Sequence, residues 1–213
     1  GLEITRGAPG AGWVQGDVDM SVIDCYIHHN TVPAGDNGGA FHFDNVDGEV
    51  VFHQNTIKDN SGGWGGAMQV NDVTSFKMTE CVFEDNEATQ GGGGAMWIMR
   101  TTASLTDCTF TDNSAVGNIN EAKGGAIRLS AKDGPNHVSM TRCMFSENTA
   151  ETAGPSVWSD AASVPTTCAY ETDITSWVPS SGWGASCPAP TVAPTAAPAP
   201  TASPTVSPTV SPT

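Results

Sequence analysis

Acidic side chains recur at one position of a pattern that repeats along the chain. The residues immediately before five regularly placed asparagines are His29, Asp59, Asp85, Asp112 and Glu147. If copies of the pattern stack ~5 Å apart, Asp59, Asp85 and Asp112 offer the oxygen ligands that Ca²⁺ prefers. An ordinary solvated acidic face accounts for the same residues, and we favour it. We therefore expect no cofactor, with calcium as the alternative.

Aromatic and cationic side chains occupy a second recurring position. They lie between alternating apolar residues and should point outward from a strand, and they are His42, Gln69, Trp97, Arg128 and Trp158. An exposed Trp on a flat sheet suits a sugar or a protein partner. Three interpretations stay open for this row, namely coverage by an inserted loop, a subunit interface and glycan binding.

Catalysis needs a further arrangement that the sequence does not present. A polysaccharide lyase requires clustered Asp residues beside an Arg or Lys base, but the chain has only 8 Lys and Arg, none placed beside such a cluster. A glycoside hydrolase requires two carboxylates in unlike environments. We expect no catalytic residue and treat a polysaccharide lyase or hydrolase as the less favoured alternative.

A repeat must position these side chains. Each copy has an anchoring asparagine, and the anchors are Asn30, Asn60, Asn86, Asn113 and Asn148. A Gly-Gly-Ala follows at Gly38–Ala40, Gly65–Ala67, Gly93–Ala95 and Gly124–Ala126, and it decays to Gly154-Pro155-Ser156 in the fifth copy. A fixed motif separated by spacers of variable length indicates a solenoid with its insertions in loops.

Within each copy the apolar residues alternate with polar ones, which predicts strands. Cys81, Cys108 and Cys143 share one inward column, in which buried free thiols are the simpler interpretation. A second column, Val22, Phe52, Met78, Leu105 and Met140, is out of phase with the first, so a bend should separate them. We predict an all-β chain, a right-handed parallel β-helix of about five to six coils with about three short strands each.

The repeat resembles that of a known family. The pattern F-x-x-N appears as Phe83…Asn86, Phe110…Asn113 and Phe145…Asn148, and G-G-A-I is complete at Gly124–Ile127. This combination is similar to the repeat of the chlamydial polymorphic outer membrane proteins, of the pectin-lyase-like superfamily. The resemblance implies a right-handed β-helix and a surface-exposed passenger or adhesin.

The remainder of the chain differs in composition. We place the β-helix at residues 1–160, a cap at 161–187 closed by a Cys168–Cys187 disulfide, and a Pro/Thr/Ser-rich stalk at 188–213, with a plain disordered linker as the alternative for this last segment. The stalk should be extended polyproline II. Its composition is that of O-glycosylated segments, and the candidate acceptors are Thr191, Thr195, Thr201, Ser203, Thr205, Ser207, Thr209, Ser211 and Thr213.

Charge and cysteine content restrict the partners. The net charge of −15 argues against nucleic-acid binding, and no apolar run is long enough to span a membrane. The even count of 6 Cys fits an extracellular or cell-surface location. We expect a non-enzymatic extracellular structural protein of a glycosylated filament or coat, which associates with itself or with other coat proteins. The alternative is an adhesin that binds glycans or cells through the Trp/Arg row.

Overall fold

The computed structural model describes residues 3–5, 12–33, 35–117, 120–132, 134–159 and 166–171. Within these ranges the chain forms strands and turns and no helix. The strands, in chain order, are β1 (Glu3–Thr5), β2 (Gly12–Gly16), β3 (Met20–Ile23), β4 (Tyr26–His28), β5 (Phe41–His53), β6 (Thr56–Lys58), β7 (Ser61–Gly62), β8 (Met68–Thr79), β9 (Val82–Glu84), β10 (Glu87–Ala88), β11 (Met96–Met99), β12 (Thr102–Thr106), β13 (Thr109–Thr111), β14 (Ser114–Ala115), β15 (Ile127–Ser130), β16 (His137–Ser146), β17 (Thr149–Ala150), β18 (Val157–Ser159) and β19 (Thr166–Glu171).

Each strand pairs in parallel with the equivalent strand one repeat further along the chain. A 15-stranded sheet and a 4-stranded sheet result, and the long strands β5, β8 and β16 carry the larger sheet around a corner. Equivalent residues pair in register, as Phe83 does with Ile57 on one side and Phe110 on the other. The stack is a parallel β-solenoid of about five turns, here called rungs.

Corners of the rungs use left-handed backbone at residues other than glycine. One row with φ near +50° precedes the Cys column and comprises Asp24, Gln54, Glu80, Asp107 and Arg142. A second row precedes the anchoring asparagines and comprises His29, Asp59, Asp85, Asp112 and Glu147. The sequence predicts a bend between the two apolar columns, because these columns are out of phase. The first row lies at that bend, so the predicted position is confirmed.

The core is built from like side chains stacked on one another. Phe83, Phe110 and Phe145 lie parallel, with neighbouring ring centroids 5.0 Å apart in both pairs. All three rings are fully buried. Each rung therefore covers the apolar face of the next, which explains why the sequence repeats the pattern.

Neighbouring rungs approach each other closely at Gly-Gly-Ala. A Cβ atom on Gly94 would lie 2.0 Å from the carbonyl oxygen of Gly125 in the next rung, so no side chain fits there. The glycine before it, Gly93, has a φ of +79°, a conformation that L side chains rarely adopt.

The predicted all-β parallel solenoid is confirmed, with one addition. Four rungs have a further two-residue strand directly after the anchoring asparagine, and these strands form the 4-stranded sheet β7, β10, β14 and β17. In the first rung, Thr31 after Asn30 forms only an isolated bridge with Ser61. Two residues are too few to show alternation, which is why the sequence indicated about three strands per coil. The stalk at 188–213 and most of the 161–187 cap lie outside the described residues.

Candidate functional site

The aromatic and cationic row does form one line across the strands that follow Gly-Gly-Ala. His42 pairs with Gln69, Gln69 with Trp97, Trp97 with Arg128 and Arg128 with Trp158. Trp13 of β2 precedes His42 in the same line. We call these six residues the outer ladder. Trp13 was missed in the sequence because no Gly-Gly-Ala precedes it.

Loops cover the middle of the outer ladder. Gln69 is only 4% exposed and Arg128 only 7% exposed, while Trp97 is half-buried. Trp64 folds down from a glycine-rich loop and packs on Trp97, with ring centroids 4.7 Å apart and ring planes tilted by 32°. Of the three interpretations of this row, coverage by an inserted loop matches the observed packing.

Arg128 is the centre of the covered region. Its guanidinium carbon lies 5.4 Å from the ring centre of Trp64 and 5.9 Å from that of Trp97. Arg128 Nη2 is 2.7 Å from Glu121 Oε2, and Nη1 donates to the Glu121 carbonyl oxygen at 2.9 Å. One cation thus joins two loops and two strands from three rungs through charge-assisted hydrogen bonds and contacts with two aromatic rings.

Three polar atoms on consecutive rungs of the outer ladder are buried without a hydrogen-bond partner in the described part of the chain. They are Gln69 Oε1, Trp97 Nε1 and Arg128 Nε. Buried polar groups are nearly always paired with protein or with ordered water. The line therefore offers one acceptor and two donors to a water molecule or a ligand beneath the loops.

At one end of the outer ladder, Trp13 stacks on His42 with ring centroids 5.5 Å apart. Burial lowers the pKa of His42 below its ordinary value, opposed by the charges of Asp44 and Asp36. At the other end, the Lys123 ammonium lies 5.1 Å from the ring centre of Trp158. Both ends of the ladder thus pair an aromatic ring with a group that carries or can acquire positive charge.

A second line of side chains runs inside the solenoid through the anchoring asparagines. Asn86 Oδ1 accepts from the backbone N–H and from Nδ2 of Asn60, at 3.1 and 3.0 Å. Asn86 Nδ2 donates to the Ile57 carbonyl oxygen and to Asn113 Oδ1, both at 2.9 Å. The same pattern joins Asn30 to Asn60 and Asn113 to Asn148. This Asn ladder is structural, since its amide groups bond to the chain itself.

The acidic row lies at the outer corners. Asp59, Asp85 and Asp112 have φ of 53°, 53° and 55°. Within the described ranges no three His, Cys, Asp or Glu side chains are grouped closely enough to hold a metal ion. Instead, Lys58 Nζ contacts Glu84 Oε1 at 2.8 Å and Asp85 Oδ2 at 3.1 Å, and these hydrogen bonds raise the pKa of Lys58 above its ordinary value. Calcium binding stays a prediction without geometric support.

Residues 3–145 match the family described as right handed beta helix region. The chain belongs to the right-handed β-helix family. No curated protein and no solved structure matches it. The match covers the described rungs up to Phe145. It also indicates that the solenoid is right-handed, which the strand pairing alone does not specify.

The inward Cys column of this β-helix contains free thiols, as the sequence indicated. Cys81, Cys108 and Cys143 are fully buried and unbridged, and Cys25 is half-buried and unbridged. Burial raises the pKa of Cys108 well above its ordinary value. Asn55 takes the place of a cysteine in this column, and its Oδ1 accepts from the Cys25 backbone N–H at 2.9 Å.

Some predicted residues of the β-helix protein fall outside the described side chains. The Cys168–Cys187 disulfide and all the candidate O-glycosylation sites from Thr191 to Thr213 are among them. No helix among the described residues is long and apolar enough to cross a membrane. Cleavage of a polysaccharide stays an untested alternative, as does binding through the outer ladder.

Proposed function

We propose that this β-helix is a non-enzymatic structural module of an extracellular filament or cell coat. The observation that supports this most is that the aromatic, cationic and amide side chains of the repeat contact neighbouring rungs of the solenoid itself. Arg128, Glu121, Trp64 and Trp97 join loops of neighbouring rungs. The Asn ladder likewise bonds rung to rung. Such contacts stiffen a rod, which is what a structural subunit requires.

Two features of the sequence support the same proposal, namely the composition of residues 188–213 and the repeat motif. The Ser/Thr/Pro composition of residues 188–213 favours a stalk with O-linked glycans on residues such as Thr201, Thr205 and Thr209. The resemblance of the repeat to that of the chlamydial polymorphic outer membrane proteins also favours a surface location. The partners would be further copies of the chain, other coat proteins and the attached glycans.

Electron microscopy of the native material, with mass spectrometry of its C-terminal peptides, tests this proposal. We expect multimers or filaments, and sugars on the residues from Thr191 to Thr213. Single particles with an unmodified stalk would overturn the structural role. Cleavage of an acidic polysaccharide that Asp112→Asn abolishes would overturn the non-enzymatic part.

A second function, glycan or cell adhesion through the outer ladder, is favoured by the unpartnered atoms Trp97 Nε1 and Arg128 Nε. The hydroxyl oxygens of a sugar would accept from these donors, and the C–H face of the sugar ring would pack on the Trp ring. On a glycan array, binding that Trp97→Ala abolishes and Ser104→Ala leaves intact would support adhesion. Binding that survives Trp97→Ala would exclude the ladder as the glycan site.

A further inference from the structure

Two adjacent histidines, His28 and His29, face each other at the corner that follows β4. His28 is the last residue of β4, and successive residues of a regular strand point to opposite faces. His29 instead has left-handed backbone, with a φ of 54°, and its ring therefore lies beside that of His28. The ring centroids are 4.9 Å apart, with an angle of 82° between the planes. The two Nδ1 atoms are only 2.6 Å apart.

A carboxylate lies beside the outer nitrogen of each ring. His28 Nε2 is 2.7 Å from Glu3 Oε1, and His29 Nε2 is 3.9 Å from Asp59 Oδ2. Because a carboxylate only accepts hydrogen bonds, the hydrogen of a neutral His28 lies on Nε2, and its Nδ1 presents a lone pair. His29 Nδ1 then supplies the hydrogen between the rings. The two facing nitrogens are thus held together by a single proton.

Further contacts fix the His28 ring. Its side chain is 13% exposed, and it stacks on Tyr26 with ring centroids 4.2 Å apart. Lys58 is the residue that pairs with His28 in the neighbouring strand. The Lys58 ammonium contacts Glu84 and Asp85 at 2.8 and 3.1 Å, so its charge is neutralised there. A cation placed at the histidine pair would therefore meet carboxylates and no unpaired ammonium.

The spacing of the two rings is close to that of two imidazoles on one metal ion. Each ligating nitrogen lies about 2.0 Å from such an ion. In adjacent positions at a right angle, the nitrogens would be about 2.8 Å apart and the ring centres about 4.5 Å apart, while a tetrahedral angle gives about 3.3 and about 5.1 Å. The observed centroid distance of 4.9 Å lies between these values. A small rotation of the exposed His29 ring would open the 2.6 Å gap between the nitrogens.

We propose that His28 and His29 form a binding site for Cu²⁺, which both rings bind through Nδ1 in place of the shared proton. On binding, the hydrogen of His29 passes through solvent from Nδ1 to Nε2, where it faces Asp59, so the chain loses no proton. Each ring then directs its other N–H toward a carboxylate, as metal-binding histidines nearly always do. Glu3 and Asp59 are the positioning residues. The site is independent of the coat role proposed above, so the two can fail separately.

The geometry favours copper among the metals that bind imidazole. These metals include Zn²⁺, Cu²⁺ and Ni²⁺. The short distance between the Nδ1 atoms is nearest to the right-angle arrangement of Cu²⁺ and Ni²⁺, and Cu²⁺ binds such ligands more tightly than Ni²⁺ does. Among the described residues no third His, Cys, Asp or Glu side chain completes a metal-binding group. Water would therefore fill the remaining positions, and we expect a moderate, micromolar affinity.

Titration of the full chain with Cu²⁺, followed by calorimetry and electron paramagnetic resonance, tests the proposal. Every sample carries Cys25→Ser, because the half-buried thiol would otherwise compete for the metal or reduce it. We expect one Cu²⁺ per chain and a spectrum split by two nitrogen nuclei. His28→Gln and His29→Asn should each weaken binding more than about 100-fold, beyond the loss of an outer partner. Asn tolerates left-handed backbone, so His29→Asn preserves the corner.

Two control variants separate this site from adventitious binding. His137→Gln removes an exposed histidine elsewhere and should leave the affinity unchanged. Copper that is held by other thiols or by a terminal amine would keep its affinity in both His28→Gln and His29→Asn, and that result would overturn the proposal. A spectrum split by only one nitrogen nucleus would overturn it as well.

The role of Glu3 has its own readout. Glu3→Ala should weaken Cu²⁺ binding about 10- to 100-fold, the effect of losing an outer partner of a ligating histidine, while the splitting by two nitrogen nuclei stays. Glu87→Ala removes the same charge at an exposed position away from the pair and should change the affinity little. Equal affinities in these two variants would exclude Glu3 as a positioning residue.

Discussion

Replacing Asn86 with alanine should destabilise the solenoid more than any change of similar size on its surface. Asn86 is fully buried, and its amide joins Asn60 in the rung before to Asn113 in the rung after. Without that amide, the backbone N–H of Asn60 loses the acceptor that it contacts at 3.1 Å. An orphaned buried donor costs about 2 kcal/mol and the other lost hydrogen bonds about 1 kcal/mol, so we expect a loss of about 3 kcal/mol.

Urea unfolding followed by circular dichroism measures this loss, with Glu87→Ala as the matched control. Glu87 is the next residue, and its side chain is exposed, so its removal should change the free energy of unfolding by less than about 0.5 kcal/mol. A loss below about 1 kcal/mol for Asn86→Ala, or an equal loss in the control, would refute the reasoning.

Asn86→Asp tests the direction of the same hydrogen bonds. A carboxylate can accept from Asn60 but cannot donate to the Ile57 carbonyl oxygen or to Asn113 Oδ1. Burial raises the pKa of such a carboxyl above about 3.9. The folded state then binds the proton more tightly than the unfolded state, so the variant should lose stability as the pH rises from about 4 toward neutrality. If the variant is as stable at neutral pH as at about pH 4, the hydrogen bonds that Asn86 Nδ2 donates contribute little to stability.

Three further predictions concern the core, the covered ladder and its pH dependence. Phe110→Ala should lower the free energy of unfolding, measured with urea, by about 3–5 kcal/mol, because its ring is buried between two stacked rings. A loss under about 1.5 kcal/mol would contradict the stacked core. Arg128→Met should lower the free energy of unfolding by about 1–3 kcal/mol, since Glu121 loses its partner. It should also alter the near-ultraviolet circular dichroism of the Trp rings, and an unchanged spectrum would show that Arg128 does not hold these rings in place. Burial lowers the pKa of His42, so the unfolded state binds a proton at this residue more tightly than the folded state does. The contribution of neutral His42 to the free energy of unfolding should therefore be complete above about pH 6.5 and decline below that pH. His42→Gln should reduce that decline and His137→Gln, at an exposed site, should not; a decline that His42→Gln leaves unchanged would exclude His42 as its source.

The rungs could be predicted from sequence because stacking imposes a register that the residues must repeat. Phe83 and Phe110 occupy equivalent positions in the sequence and pair directly in the structure. The bend before the Cys column followed from a change in apolar phase. Its left-handed backbone did not, since Gln54, Glu80 and Arg142 are not residue types that favour positive φ. The closed path of the rung imposes that conformation.

The residues that cover the outer ladder could not be predicted, because loops have no repeating register. Trp64 and Glu121 lie in segments of different length in their rungs, so no spacing in the sequence relates them to Trp97 or Arg128. A sequence signal does exist in retrospect. The run of glycines around Trp64 and at Gly91–Gly94 leaves space for large side chains, and a Cβ on Gly91 would lie 2.1 Å from the Trp64 ring.

Neighbouring anchors of the Asn ladder are separated by 26 residues in one rung and by 35 in another. Both rungs nevertheless advance the stack by one strand spacing of ~4.8 Å. The length of the rod is therefore set by the number of rungs and not by the number of residues. Insertions between β14 and β15 or between β15 and β16 widen the molecule at that level without lengthening it. Evolution or protein engineering can thus remodel the side of this protein while the distance between its two ends stays constant.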